Sequence, residues 1–210
     1  MMLDMVGGES RRLIVLASAS ASRQSMLRAS GLAFEIDPAD VPEEEIISEL
    51  LSGDASTGPV AVAAHLACAK AESVSRRRPD DLIIGADQVL SFAGEIFGKP
   101  QTRSRARAML QRLRAGEHTL YSSVVIAEAG VRTWQATTRA DLRMWNFSDA
   151  FLDRYLDQSG ESILNCAGAY QIEGTGARLF EWIRGDYFTI LGLPLLELLA
   201  ELRTRKVMAT

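Results

Sequence analysis

The chain has 210 residues, 47% of them hydrophobic and 24% charged, enough for one large domain or two lobes sharing a cleft. Its formal net charge of −4 argues against a nucleic-acid polymer as partner, yet leaves room for a few cations around a small anion. Two unpaired cysteines, Cys68 and Cys166, read as buried thiols in a reducing cytosol rather than as a zinc or redox motif.

The apolar run after Arg11-Arg12 is far shorter than the roughly 7–15 residues a secretory signal needs, and none approaches a membrane span. A cytoplasmic protein without membrane contact is expected, with residues 1–12 a loose tail and residues 13–207 a single domain. Leu13-Ile14-Val15-Leu16 predicts a buried strand. It runs into Ala17-Ser18-Ala19-Ser20-Ala21-Ser22-Arg23 and then a helical pattern with Met26 and Leu27, closed by Gly31. A strand, a hydroxyl-bearing loop and a helix start can grip phosphate through N–H groups, hydroxyls and the Arg23 fork. The same residues also suit a serine-rich helix cap.

Ala33–Ile36 reads as a short strand. Pro42 and Glu43-Glu44-Glu45 begin a helix with Ile46, Ile47, Leu50 and Leu51 as its apolar stripe. Ser52–Gly58 reads as a flexible loop. Pro59 opens a helix to about Arg78, with Ala63, Leu66, Ala67 and Val74 inward and Lys70 on that same face. Such a lysine either snorkels outward or meets an anion at the edge of the core. Arg76-Arg77-Arg78 reads as a cap on the helix's negative end.

Leu82–Ala86 predicts a buried strand that delivers Asp87 and Gln88 at its end, with Val89–Phe92 extended beyond it. Ala93-Gly94 makes a turn before Glu95-Ile96-Phe97, and Gly98-Lys99-Pro100 follows. Ala106, Met109, Leu110 and Leu113 mark a helix closed by Gly116. His118–Glu128 and Val131–Trp145 predict an antiparallel hairpin across Ala129-Gly130. Ser148 caps a helix with Phe151, Leu152, Tyr155 and Leu156 inward. A glycine-rich stretch then includes an extended Tyr170–Glu173, and Pro194 starts a terminal leucine-rich helix.

Asp87 can hold a divalent metal or act as a base, or merely cap a strand end. Glu43 can be a metal ligand or a favourable charge at a helix start. Lys70 and Lys99 can meet phosphates, or be a snorkelling side chain and a surface turn. Glu173 can be a ligand contact or an ordinary solvent-facing position. His65 and His118 are too few and too dispersed for a metal cluster.

Several of these segments occur together and in order. They are Leu16-Ala17-Ser18-Ala19-Ser20 with Arg23, Gly85-Ala86-Asp87-Gln88-Val89, Gly98-Lys99-Pro100, and Ala167–Gly174 through Leu179–Ile183 to Gly192-Leu193-Pro194-Leu195. They span nearly all of the chain after residue 12 and resemble the Maf family. The resemblance implies an elongated α/β fold of the Maf and ITPase-like kind. Its central mixed, largely antiparallel sheet is flanked by helices, and two lobes enclose a deep cleft, often in a homodimer. It implies hydrolysis of a nucleoside triphosphate to monophosphate and pyrophosphate with Mg²⁺ or Mn²⁺, and an association with septum formation and division arrest.

Residue by residue, the resemblance makes Asp87 the catalytic base and Asp87 with Glu43 the metal ligands. It places Ser18, Ser20 and Arg23 in the phosphate loop, Ser22 at a substrate-binding position tied to substrate choice where the family has a larger residue, and Lys70 and Lys99 among the cationic residues. Family loops read Ser-Pro-Arg-Arg or Ser-Pro-Trp-Arg; here the loop reads Ser20-Ala21-Ser22-Arg23, without the stiffening proline. Gln88 and Glu173 match the branch acting on 7-methyl-GTP, where the dTTP and UTP branch has Thr and Gln. The chemistry agrees: an ionised carboxylate only accepts hydrogen bonds, and guanine presents two adjacent donors. The competing expectations are a nucleotide-binding regulator of division with little turnover, and a pyrophosphatase preferring dTTP or UTP.

Overall fold

The computed structural model describes residues 12–53 and 57–208. The expected tail therefore lies almost wholly outside the described residues. At its centre is a seven-stranded sheet in the order β2 (Glu35–Ile36), β1 (Ile14–Leu16), β3 (Leu82–Phe92), β5 (Glu117–Glu128), β6 (Val131–Met144), β7 (Phe180–Arg184). The short β4 (Glu95–Phe97) folds back on the far end of β3. β1 pairs in parallel with β2 and β3, and every other pairing is antiparallel. The expected mixed, largely antiparallel α/β fold is what forms.

Local chemistry explains the main elements. Ser20 caps α1 (Ala21–Ala29), and Ser148 caps α5 (Asp149–Ser159), each side chain accepting a backbone N–H three residues on. Proline starts α3 (Pro59–Arg77), and three glutamates sit in the first turn of α2 (Glu43–Gly53). β5 and β6 turn at Ala129 and Gly130, both with positive φ (48° and 81°), which matches the twist of a tight hairpin. The remaining helices are α4 (Arg103–Leu113), a single turn α6 (Tyr187–Ile190) and α7 (Leu195–Thr204).

Some expectations are corrected. Asp87 lies in mid-strand, because β3 continues to Phe92. Pairing with β1 ends at Ile84, and pairing with β5 carries the strand on through Asp87. Ser52 and Gly53 are helical, and residues 54–56 of the expected loop lie outside the described residues. Leu51 is exposed rather than inward. Glu173 stands in a turn rather than an extended segment, because the chain curls into a 3₁₀ helix at Thr175–Leu179. Cys68 and Cys166 are only partly buried, and both are free. Arg77 and Arg78 do more than cap: they pair with Asp37 at 2.5 Å and Glu35 at 2.7 Å, tying β2 to the end of α3.

The apolar core divides along β3. Ile84 and Ala86 pack with Leu27, Leu193 and Leu198 in one cluster. Leu90 packs with Leu110, Leu142 and Leu156 in another. Asp87 and Gln88 stand at the join. Pairing continues this polar level across the sheet, with Asp87 opposite Ser123, which faces Thr137, and Gln88 opposite Ser122, which faces Thr138.

Candidate active site

Side chains alternate along a strand, so Ile83, Gly85, Asp87 and Val89 share one face of β3. That face is covered by α3, and Gly85 sets the distance. A Cβ at Gly85 would come within 2.4 Å of the Ala67 carbonyl oxygen and 2.6 Å of the Ala71 nitrogen. Only glycine lets the helix backbone approach this closely. The approach carries Lys70 onto Asp87, two residues further along the same face.

The Lys70 ammonium lies 2.5 Å from Asp87 Oδ1 and 2.7 Å from Glu43 Oε1. Lys70 is 7% exposed and Asp87 6%, so the pair sits in low dielectric and its attraction is strong. Lys99, on the loop after β4, approaches Glu43 Oε2 at 3.9 Å from the solvent side. Burial works against the ionised Glu43, but Lys70, Lys99 and Arg23 outweigh it and hold the carboxyl below its ordinary range. Arg23 is desolvated, which lowers its pKa, while Asp87 and Glu43 favour its charge. Four elements, β3, α3, the start of α2 and the start of α1, thus bring Asp87, Lys70, Glu43 and Arg23 into one electrostatic cluster.

The serine loop completes the rim. Ala17 N–H donates to the Ile84 carbonyl at 2.8 Å, so the loop leaves the sheet just before the level of Asp87. Ser18 Oγ accepts from Arg23 Nη1 at 3.1 Å and from Ser20 N–H at 3.3 Å. A hydroxyl accepts twice and donates once, so the Ser18 proton is left for a further acceptor. Ser20 Oγ accepts from Arg23 N–H at 3.5 Å, and the half-buried Ser22 opens the first turn of α1. Arg23 also donates through Nε to the Gly192 carbonyl at 2.8 Å, which fixes its fork.

Gln88 leaves β3 on the opposite face. Its amide nitrogen donates to the Thr189 carbonyl at 2.9 Å, the Ile190 carbonyl at 3.0 Å and Ser122 Oγ at 3.0 Å. Its donors are thus used within the protein, bracing α6 against the sheet. Ser122 Oγ and Thr138 Oγ1 meet Thr189 at 2.7 and 2.8 Å, adding to the brace. Neither hydroxyl entered the sequence reading. The signal is visible in hindsight as Ser122-Ser123 and Thr137-Thr138, hydroxyl pairs inside otherwise strand-forming runs.

Glu173 is exposed and outside the Lys70 cluster. Burial pushes the Cys166 thiol up, and the Glu173 carboxylate and the Lys99 ammonium act on it in opposite directions. The Gln101 N–H donates to the Leu164 carbonyl at 3.1 Å, joining the Lys99 loop to the segment that leads to Glu173.

The Maf-like protein family matches residues 13–205. The chain belongs to the Maf family. A nucleoside triphosphate pyrophosphatase of Paramagnetospirillum magneticum is 48% identical over 90% of this chain and 96% of its own length. One from Granulibacter bethesdensis is 45% identical over 93% of this chain and 98% of its own. A 7-methyl-GTP pyrophosphatase of Brucella abortus is 44% identical over 92% of this chain and 96% of its own. Among the described residues no helix is long and apolar enough to cross a membrane.

Two carboxylates converging on one cation suit a hard divalent ion. Mg²⁺ is ordinarily held by one or two carboxylates together with phosphate oxygens and water. Glu43 and Asp87 already meet at the Lys70 ammonium, so the donor set fits such an ion. Among the described residues no group of three or more His, Cys, Asp or Glu forms a site of its own.

Proposed function

We propose that this protein hydrolyses a nucleoside 5′-triphosphate to monophosphate and pyrophosphate, with Mg²⁺ or Mn²⁺ and with 7-methyl-GTP as the first candidate substrate. The observation that carries the reading is the Asp87–Lys70–Glu43 bridge, two acids in contact with one buried cation, with the Arg23 guanidinium within electrostatic reach of both acids. A chain aligned almost end to end with proteins named for this activity supports it. When bound by Glu43 and Asp87, the divalent ion would neutralise phosphate charge.

Asp87 accepts a proton from a water whose oxygen attacks the α-phosphorus. The bond from the α-phosphorus to its bridging oxygen breaks, and pyrophosphate leaves with the electron pair. Lys70, Lys99, Arg23, the Ser18 hydroxyl and the first N–H groups of α1 stabilise the charge that builds on the phosphate oxygens. Ser20 and Ser22 shape the loop that presents those groups. Gln88 acts on this site by bracing the segment to which Arg23 is bound. Glu173 accepts from the two adjacent donors of a guanine edge, and a cationic N7-methylated base strengthens that contact.

The test is pyrophosphate release from GTP, 7-methyl-GTP, UTP, dTTP and CTP with Mg²⁺. Metal-dependent release, fastest with the guanine nucleotides, is expected. Glu173→Gln is expected to shift preference towards pyrimidines by about tenfold, one charged hydrogen bond's worth. No release from any nucleotide would refute the activity, and an unchanged profile in the variant would refute the role of Glu173.

A further inference from the structure

Three residues before Glu173 the chain passes through a buried anchor that the reaction itself does not use. His118, on β5, is 2% exposed, and its Nε2 lies 2.8 Å from Tyr170 Oη. Its Nδ1 is buried with no partner. An apolar side chain would fill the same space without an orphaned nitrogen, so the polar ring is accounted for by what Nε2 holds. Burial pushes the imidazole down to about 4, and burial raises the Tyr170 hydroxyl well above its ordinary value. The contact is therefore between neutral groups at physiological pH.

Tyr170 is held on its other sides as well. Its ring meets Phe180 edge-on, with centroids 4.9 Å apart. A Cβ on Gly168 would come within 2.3 Å of that ring, so the backbone bends tightly over it. Gly168 and Ala169 are consecutive left-handed residues, with φ of 84° and 58°. Such a conformation is unfavourable for alanine and persists only when its surroundings enforce it. Tyr155 on α5 supplies one constraint, its hydroxyl donating to the Ala169 carbonyl at 3.0 Å. Downstream, Gly174 N–H closes a turn on the Gln171 carbonyl at 3.3 Å. Glu173 is thus a solvent-facing carboxylate on a turn whose fixed end is Tyr170.

We propose that His118 is a positioning residue for base recognition: by holding Tyr170 it fixes the turn that presents Glu173. This rests on the reading of Glu173 as the base-contacting group. His118 acts through Tyr170 and touches no reacting atom, so its loss acts on substrate affinity and discrimination rather than on the chemical step.

The test compares the full-length protein with Tyr170→Phe, His118→Leu and His118→Gln. In Tyr170→Phe and His118→Leu, KM for guanine nucleotides is expected to rise about tenfold, with kcat within about twofold and guanine preference reduced by the same factor. His118→Gln, whose side-chain amide can pair with the hydroxyl near the Nε2 position, recovers part of the loss. Hydrogen exchange at amides 169–174 accelerates about tenfold in the first two variants, while β3 is unchanged. A uniform fall in kcat with unchanged preference, unchanged exchange, or a glutamine variant no better than leucine would overturn the proposal. Should His118→Leu fail to fold, Tyr170→Phe decides, since it removes only a hydroxyl. A wild-type protein without guanine preference refutes the role of Glu173 instead, and the exchange data then report separately on the clamp.

Discussion

Asp87 and Gln88 are neighbours on one strand, and they meet opposite surroundings. Asp87 faces α3, where its carboxylate shares Lys70 with Glu43 and feels Arg23. Gln88 faces α6, where two carbonyls and a hydroxyl take up its donors. The first face holds formal charges whose balance includes the exposed Lys99 and the part-exposed Glu43, so an incoming ion or phosphate can redistribute them. On the second face the donors of Gln88 are taken up by neutral groups within the protein. One strand thus separates a surface arranged for chemistry from a brace arranged for stiffness, and adjacent substitutions must report different quantities.

The largest expected effect is on the charged face. Asp87→Asn keeps the shape and removes the proposed proton acceptor, so turnover is expected to fall by about 10³-fold while nucleotide binding and the circular dichroism spectrum are retained. Turnover within tenfold of the parent would break the comparison. Gly85→Ala tests what brings the two sides of that face together. The added Cβ meets helix backbone at 2.4 Å, and a loss of about 1–3 kcal/mol in urea unfolding is expected, with a weaker Lys70–Asp87 contact and lower kcat. Unchanged stability would mean that α3 can retreat freely.

Gln88→Glu tests the opposite face. It sets a carboxylate against the Thr189 and Ile190 carbonyls, and about 2 kcal/mol of unfolding free energy is expected to be lost. A variant as stable as the parent would show that the brace is not holding. The smallest effect concerns Glu43. Its carboxyl is held below the ordinary value of 4.5, so its stabilisation is present above that pH and is lost as pH falls through the lowered folded value. Glu43→Gln is expected to flatten the acid limb of the stability profile below pH 4.5 by roughly 0.5 kcal/mol after solvent screening. An identical acid limb in parent and variant would contradict the shift.

Much of the charged face was legible in the sequence. Lys70 on an apolar helix stripe and Asp87 after an apolar run are local patterns, and the cap of Ser20 follows from residue type. What escaped depends on partners distant in the chain. Asp87 resembled a strand end because the apolar run Leu82–Ala86 stops just before it; that this run and the extended Val89–Phe92 form one strand depends on β5, which pairs along both halves. β7 was missed because Glu181-Trp182-Ile183-Arg184 has no clean alternation; it is a strand because β6 offers it an edge. Glu173 looked extended because Tyr-Gln-Ile has strand-like composition, whereas the chain turns there just after Ala169 and Tyr170, which are bonded to Tyr155 and His118 on other elements. The role of Gly85 is invisible until α3 lies against it.

The measurement that tests the central claim most directly is hydrolysis in isotopically labelled water with Mg²⁺ and 7-methyl-GTP or GTP. Attack at the α-phosphorus beside Asp87 places one labelled oxygen in the nucleoside monophosphate and none in the pyrophosphate. Label in the pyrophosphate, or release of inorganic phosphate in its place, would contradict the account.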